Sequence, residues 1–311
     1  MKTIVIALGG NAILQPGQKG AIQEQLLNVD QTAVQIAELS SRGHRVVVTH
    51  GNGPQVGAIL IQNAAGSGQV PAMPLDVCGA ESQGQIGYML QQCLGRRLAE
   101  RGIRKSVVTI VTQMVVSAND PAFGSPSKPV GPFYTAEHAR RRMDETDEAW
   151  IDDAGRGWRR VVPSPDPVRM VERDAILSLV QSGAVVIANG GGGIPVCERD
   201  GHYEGVEAVI DKDLGGERLA HDVRADVFLI LTDVAKVALN YKTANQIDLD
   251  VITMEELARY QQEGHFQAGS MGPKMEACRR FVGQGGEFAV IASLATAVDA
   301  IEGRAGTRIV R

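Results

Sequence analysis

The sequence predicts an α/β fold: a three-layer αβα sandwich with a mainly parallel central sheet and a small protruding subdomain. Six short runs rich in Val and Ile show no alternation with polar residues, which is typical of strands buried on both faces of a parallel sheet. Stretches with helical periodicity lie between these runs, and this alternation indicates right-handed βαβ crossovers. One segment, at about residues 117–167, breaks the alternation and predicts the subdomain.

The predicted elements alternate along the chain. The strands are, in order, TIVIAL (3–8), RVVVTH (45–50), SVVTIV (106–111), AVVIAN (184–189), VFLILT (227–232) and FAVIAS (288–293). The helices are Gln23–Arg42, Ser82–Arg101, Val168–Ser182, Met254–Gly264 and Pro273–Val282, and a further helix starts near Lys212. The segment 117–167 is rich in proline and contains both tryptophans, so we interpret it as an insertion with its own small fold. Within it, the run ARRRMDETDEAW (139–150) is typical of a solvated charged helix.

Composition excludes several classes of protein. Apolar residues make up 44% of the chain, enough for a sizeable core, and the formal net charge of −5 argues against a nucleic-acid partner. No apolar run approaches the roughly 18 residues needed to span a membrane, and the N-terminus lacks a signal-peptide pattern. The four cysteines are far apart without a C-x-x-C pair, so we expect reduced thiols and a cytoplasmic location.

Three predicted strands end in glycine-rich turns. These turns are Gly9-Gly10-Asn11, Gly51-Asn52-Gly53-Pro54 and Gly190–Gly193. Turns that follow parallel strands meet at the carboxyl edge of the sheet, where ligands bind. Glycine lets the backbone approach a ligand closely, and successive amide groups bind anions. The turns therefore predict a site for a polyanionic ligand.

The ligand site is not of the common nucleotide-binding types. No lysine in the chain directly follows a glycine, which excludes a G-x-x-x-x-G-K-[ST] loop. No G-x-G-x-x-G pattern follows the first strand, so a dinucleotide site is not expected.

Three of the eight lysines stand in unusual settings. Lys128 lies in SPSKPVGPF, Lys212 lies between Asp211 and Asp213 at a predicted helix start, and Lys274 begins another helix after GSMGP. A lysine at a helix N-terminus opposes the helix dipole, which favours a nearby anion, and phosphoryl transfer requires such cations. The alternatives are that Lys212 only pairs with the flanking aspartates and that Lys128 is a surface loop residue.

The motifs carry a specific resemblance. The chain resembles the carbamate kinases of the amino acid kinase superfamily, in stretches that span nearly its whole length: ALGGNAI, HGNGPQVG, MPLDVCGAESQGQIGY, KPVGPF, DAGRGWRRVVPSP, NGGGGIPV, GVEAVIDKD, LTDV and GHFQAGSMGPK. Glu81 departs from the pattern, since some relatives carry an apolar residue there. Many members of the superfamily have a catalytic lysine in the first strand, at the position of Ala7. The resemblance implies that Lys128, on a lid formed by the insertion, replaces that lysine.

The resemblance implies a reversible, Mg²⁺-dependent reaction of ATP with carbamate that gives ADP and carbamoyl phosphate. Carbamate is already an anion at neutral pH, so no general base is needed, and the six histidines, including His50, are interpreted as structural. Lys128, Lys212 and Lys274 are expected to neutralise charge on the phosphates. Asp213 is expected to hold the lysines in place, and Asp211 is the less favoured candidate.

The remaining site residues are also assigned from the resemblance. The expected contacts are Gly9, Gly10 and Asn11 to the transferred phosphoryl group, Gly51, Asn52 and Gly53 to carbamate, and Lys212, Asp233, Tyr241, Met271 and Lys274 to the nucleotide. We expect a single domain, 1–311, with a substrate-side lobe (1–210) that contains the lid and a nucleotide-binding lobe (211–311). Mg²⁺ is expected to bind mainly phosphates and water, without a dedicated set of protein ligands.

The resemblance also implies a homodimer and ATP synthesis from carbamoyl phosphate in arginine, agmatine or purine catabolism. Two other functions stay open. One is another acyl-phosphate-forming amino acid kinase, which Ala7 and the KPVGPF stretch argue against. The other is a non-catalytic nucleotide sensor, because a fold alone does not establish activity.

Overall fold

A computed structural model describes residues 1–266 and 271–311. It contains a central sheet of eight strands and smaller sheets of four, three and two strands. The strands are β1 (Thr3–Leu8), β2 (Arg45–His50), β3 (Val107–Thr109), β4 (Gln113–Val115), β5 (Lys128–Tyr134), β6 (Ala149–Asp152), β7 (Trp158–Val162), β8 (Arg169–Met170), β9 (Val185–Ile187), β10 (Ile194–Arg199), β11 (His202–Gly205), β12 (Val227–Thr232), β13 (Val237–Leu239), β14 (Ile247–Leu249), β15 (Val251–Thr253), β16 (Phe288–Ser293) and β17 (Thr307–Val310). The helices are α1 (Ile22–Ser41), α2 (Gly53–Gly66), α3 (Leu75–Glu100), α4 (Ala136–Glu145), α5 (Arg173–Gln181), α6 (Lys212–Asp222), α7 (Met254–Gln262), α8 (Met271–Gly283) and α9 (Ala297–Ile301).

The central sheet has the order β15-β17-β16-β12-β1-β2-β9-β3. Its neighbouring strands run parallel, apart from the antiparallel pair β16 and β17. Strand β1 is buried along its whole length. Its residues alternate between two cores, since Ile4 and Leu8 pack in the core with α1, α3 and α9, whereas Val5 and Ala7 pack in the core with α5 to α8. This arrangement confirms the predicted three-layer sandwich.

The predicted insertion forms a separate small unit, which we call the lid (residues 128–162). Strands β5, β7 and β6 form an antiparallel sheet beside α4. The chain leaves the sandwich after β4 and returns at β8, and these two strands pair with each other. Val130 and Val162 of the lid pack with Val56 and Leu75 of α2 and α3 in a small apolar cluster. The lid therefore rests on the sandwich directly above the ends of the sheet strands.

Several predicted boundaries are corrected by the structure. The charged helix ends at Glu145. The chain turns back after it, and Trp150 lies in strand β6 instead of in the helix. Helix α3 begins at Leu75 rather than at Ser82, and α5 begins at Arg173 because residues 169–170 form a strand. Helix α2 is not predicted by the sequence, because its Gly-Pro start resembles a turn, although proline fits the first helical turn well. In the part of the chain that is described, no helix is both long and apolar enough to cross a bilayer.

Candidate active site

The three glycine turns meet at one edge of the sheet, because β1, β2 and β9 are neighbouring parallel strands. The Gly9 amide donates a 2.9 Å hydrogen bond to the carbonyl of Leu231, and the Gly51 amide donates a 3.0 Å hydrogen bond to the carbonyl of Leu8. These bonds extend the sheet pattern into the turns. Beneath the lid, a cavity of about 420 Å³ opens at this edge.

Most of the sequence-predicted phosphate and carbamate residues line this cavity. They are Gly10, Gly51, Asn52, Gly53, Lys128, Lys212, Asp213 and Lys274. Gly9 and Asn11 lie just outside the lining. Gly9 directly follows strand β1, and Asn11 is exposed on a single turn of 3-10 helix. Asp233, Tyr241 and Met271 also lie outside the lining, and Tyr241 is more than half exposed. Within the GHFQAGSMGPK stretch, residues 267–270 lie outside the described residues.

Asp213 bridges two of the lysines. Its Oδ1 accepts a 2.7 Å hydrogen bond from Lys212 Nζ, and its Oδ2 accepts a 3.1 Å hydrogen bond from Lys274 Nζ. Asp213 and Lys274 are only 3% and 4% exposed. The pKa of Lys274 is lowered overall, mainly by burial, although the charge of Asp213 raises it. The carboxylate therefore keeps two ammonium groups together at the floor of the cavity.

Asp211 holds the third lysine. Its Oδ2 accepts a 2.8 Å hydrogen bond from Lys128 Nζ, which reaches down from strand β5 of the lid. Its Oδ1 accepts a 2.9 Å hydrogen bond from the Asp213 amide and so caps helix α6. The less favoured of the two aspartates is thus the partner of Lys128, because the helix cap points its second oxygen toward the lid.

The third glycine turn makes room for the side chains of the second turn. A Cβ atom on Gly191, where φ is +71°, would lie 2.2 Å from Asn52 Nδ2, and a Cβ on Gly190 would lie 2.5 Å from the His50 ring. Asn52 Nδ2 in turn donates a 2.8 Å hydrogen bond to Ser82 Oγ. Only glycine allows this contact between the two turns.

Gln83 is a site residue that sequence reasoning missed. Its Nε2 donates a 2.9 Å hydrogen bond to the Gly190 carbonyl, and its Oε1 accepts a 2.8 Å hydrogen bond from the Thr112 amide. It also lines the cavity, whereas Glu81, on the same helix, is exposed and lies outside the lining. The available signal was a polar residue on the buried stripe of α3, next to Ser82 and one turn before Ile86.

The electrostatics of the cavity suit an anion. The His50 ring lies against Gly190 and is buried. Burial lowers its pKa to about 4, so the ring is neutral at physiological pH and adds no charge beside the cavity. Arg159 of the lid adds another cation to the lining. No group of three His, Cys, Asp or Glu side chains suited to a metal ion occurs within residues 1–266 and 271–311. The arrangement can bind a phosphorylated ligand between fixed ammonium groups and glycine turns.

Comparisons with known proteins agree with this geometry. The sequence model described as the amino acid kinase family matches residues 2–293. The protein named carbamate kinase in Thermococcus kodakarensis is 58% identical over 100% of both chains, and its namesake in Pyrococcus furiosus is 57% identical over 99% of both. A solved structure described as carbamate kinase from Giardia lamblia bound to AMP-PNP superimposes with a TM-score of 0.95 at 46% identity, over 99% of this chain and 98% of that one. These likenesses confirm the resemblance predicted from the motifs. The chain therefore belongs to the amino acid kinase family and, within it, to the carbamate kinases, which are kinase enzymes.

Proposed function

We propose that this enzyme catalyses the reversible transfer of a phosphoryl group between ATP and carbamate, with ADP and carbamoyl phosphate as the other pair. The observation that carries the proposal is the meeting of Lys128, Lys212 and Lys274 with three glycine turns in one cavity. The identities with proteins named carbamate kinase support the choice of acceptor. The AMP-PNP in the name of the Giardia lamblia structure supports an adenine nucleotide as the other ligand.

The proposed mechanism depends on position and charge. A carbamate oxygen attacks the terminal phosphorus of ATP, the new O–P bond forms, and the bond from phosphorus to the bridging oxygen breaks with its electrons going to ADP. The attacking oxygen already carries negative charge, so the enzyme has no proton to remove. Its task is to hold two anions in line and to neutralise the charge on the phosphoryl oxygens. Lys128, Lys212 and Lys274 are proposed for that role.

The glycine turns take two roles in this proposal. Gly9 and Gly51 already donate their amides within the fold, so they contribute by lacking a side chain. A Cβ on Gly51 would lie 3.1 Å from Lys212 Cδ, across the path of that lysine toward the cavity. The proposed amide contacts are then Gly10 and Asn11 to the phosphoryl group, and Asn52 and Gly53 to carbamate.

Mg²⁺ is proposed to arrive with the nucleotide. Asp211 and Asp213 already accept hydrogen bonds from lysines, and the described residues offer no carboxylate cluster for a metal. Phosphate oxygens and water would therefore hold the ion, which would supply further charge neutralisation. No protein ligand to Mg²⁺ is assigned.

The adenine is proposed to lie on the C-terminal side, near Thr232–Val234, Tyr241 and Met271. Strand β12 ends there and is hydrogen-bonded to Gly9, so a nucleotide on this side can direct its phosphates toward the first glycine turn. Residues 211–311 would then form the nucleotide-binding lobe and residues 1–210 the substrate-side lobe.

A homodimer is a further proposal, and light scattering on the purified protein tests it.

The test of the function is ATP formation from ADP and carbamoyl phosphate with Mg²⁺, followed with a coupled assay. A blank without enzyme corrects for the spontaneous breakdown of carbamoyl phosphate. Rapid ATP formation supports the reaction. Folded protein that binds ADP but makes no ATP would contradict it. A panel of amino-acid carboxylates with ATP would then separate another acyl-phosphate-forming kinase from a nucleotide sensor.

A further inference from the structure

Asp211 occupies a special position between the lid and the sandwich. One carboxylate oxygen caps helix α6 through the Asp213 amide at 2.9 Å, and the other accepts a hydrogen bond from Lys128 Nζ at 2.8 Å. Lys128 belongs to strand β5 of the lid, 83 residues earlier in the chain. A single side chain thus connects the lid to the helix that carries Lys212 and Asp213.

We propose that Asp211 is a positioning residue that latches the lid and aims the ammonium group of Lys128 at the phosphoryl site. The catalytic part of this proposal rests on the proposed function, because it explains how a lysine on a separate unit is placed beside the transferred phosphoryl group. The latch itself is a property of the fold without any ligand.

The charges and burial favour a stable pair. The side chains of Asp211 and Lys128 are 14% and 37% exposed. Burial raises the pKa of Asp211, but the charge and hydrogen bond of Lys128 and the hydrogen bond from the Asp213 amide lower it overall. The carboxylate is therefore ionised at neutral pH, and the start of helix α6 favours its negative charge.

The pair does not prevent Lys128 from acting on a ligand. An ammonium group has three N–H donors, and one bond to Asp211 leaves two for phosphoryl oxygens. Lys128 also lines the cavity. Asp211 thus restricts the long lysine side chain to a small region beside the site, which lowers the entropy lost when the ligand binds.

Other contacts also hold the lid on the sandwich, so loss of the ion pair should have only a limited effect on lid opening. Val130 and Val162 of the lid pack against the sandwich, and the Val209 amide donates a 2.9 Å hydrogen bond to the Pro163 carbonyl. Loss of the ion pair should therefore loosen the lid rather than release it. A partly exposed pair contributes at most about 1 kcal/mol, or roughly a fivefold change in the closed-to-open ratio.

The decisive substitution is Asp211→Asn. Asparagine caps helices about as well as aspartate, so helix α6 keeps its cap while the charge that holds Lys128 is lost. Lys128→Met removes the other partner. Asp250→Asn is the matched control, because it removes a carboxylate that pairs with Lys236 on the surface beside β15.

Lid position is measured in the ligand-free enzyme by pulsed electron paramagnetic resonance. The four native cysteines are buried, so spin labels can be directed to cysteines introduced at exposed Asp144 of the lid and exposed His221 of helix α6. We expect a broader distance distribution with a larger open population, by roughly fivefold, in Asp211→Asn, in Lys128→Met and in the double variant alike. Identical distributions in wild type and Asp211→Asn would overturn the latch.

Kinetics test the positioning role separately. Asp211→Asn should lower kcat/KM for carbamoyl phosphate by about tenfold while the KM for ADP stays within about twofold, and it should have no further effect when Lys128 is already Met. Additive losses in the double variant would overturn the positioning role. If wild-type enzyme forms no ATP, the proposed function fails, but the distance measurement still decides the latch.

Discussion

Lys274 Nζ lies 3.1 Å from Asp213 Oδ2, and both residues are almost completely buried. The pair joins helix α8 to helix α6 across 61 residues of sequence. A buried ion pair is weak evidence for stability, because the cost of removing both charges from water offsets their attraction. A cation fixed in advance beside an anion site has a clear use in phosphoryl transfer, because it needs no rearrangement when charge develops. We therefore interpret the pair as part of the catalytic site.

Replacement of the lid lysine tests the charge-neutralising role most directly. In Lys128→Ala, kcat should fall by about 10² to 10³, the scale for losing one preorganised contact to a transition state. The free energy of unfolding should change by less than about 1 kcal/mol, because the lysine is partly exposed. The coupled ATP assay and urea denaturation measure the two effects. Kinetics close to those of wild type would contradict the assigned role.

The shape of the cation at position 212 should matter as much as its charge. Lys212 passes close to Gly51 and ends 2.7 Å from Asp213 Oδ1, where a planar guanidinium does not fit the same geometry. We expect Lys212→Arg to lower kcat/KM by about a hundredfold. The control is Lys2→Arg, because Lys2 pairs with Glu287 at the start of β1, at the opposite end of the strand from the site. Equal activities in the two variants would refute the requirement for a compact ammonium.

The contact between the glycine turns should not tolerate a side chain. Gly191→Ala forces a non-glycine residue to φ of +71° and brings its Cβ within 2.2 Å of Asn52 Nδ2. We expect a loss of about 1–3 kcal/mol in the free energy of unfolding and a higher KM for carbamoyl phosphate, because Asn52 must move. Gly57→Ala on helix α2 is the control, since its Cβ meets open space and alanine favours a helix. Substrate binding unchanged in Gly191→Ala would remove Asn52 from the site.

Glu217 should make stability depend on pH. It is 2% exposed, and its Oε1 has no hydrogen-bond partner among the described residues. Its pKa is raised from 4.5 to about 7, mainly by burial, while the charges of Arg218 and Arg280 lower it and those of Asp166 and Asp222 raise it. Between pH 4.5 and 7 the folded state therefore binds more protons than the unfolded state, so this group lowers stability as pH rises and has no further effect above about 7.

The variant Glu217→Gln isolates that effect. Because glutamine does not ionise, its free energy of unfolding relative to wild type should rise by about 1–3 kcal/mol between pH 5 and 8. Urea denaturation across this pH range measures the difference. Parallel pH profiles for the two proteins would show that the carboxyl group titrates normally.

The local pattern predicts the parallel sheet well. Four of the predicted strands, at 3–8, 45–50, 227–232 and 288–293, have the bounds observed in the structure. Their continuous burial requires continuous apolar sequence, which is a local signal. The short strands of the small sheets and helix α2 were missed, because their pairing or packing depends on distant segments. Strand β17 of the central sheet was missed for the same reason, because it is a strand through its antiparallel pairing with β16 and its parallel pairing with β15.

By itself, the sequence determined the αβα class, the three glycine turns, the lid segment and the lysines that merit attention, because each is marked by composition or spacing within about a dozen residues. Only the tertiary structure decided which aspartate pairs with which lysine, and that Gln83 supports the third turn. Lys128, Asp211, Asp213 and Lys274 come from the lid and from two helices, so their contacts depend on how those elements pack. Periodicity cannot report such contacts, because a hydrogen bond between distant residues is set by backbone placement to within a fraction of an ångström.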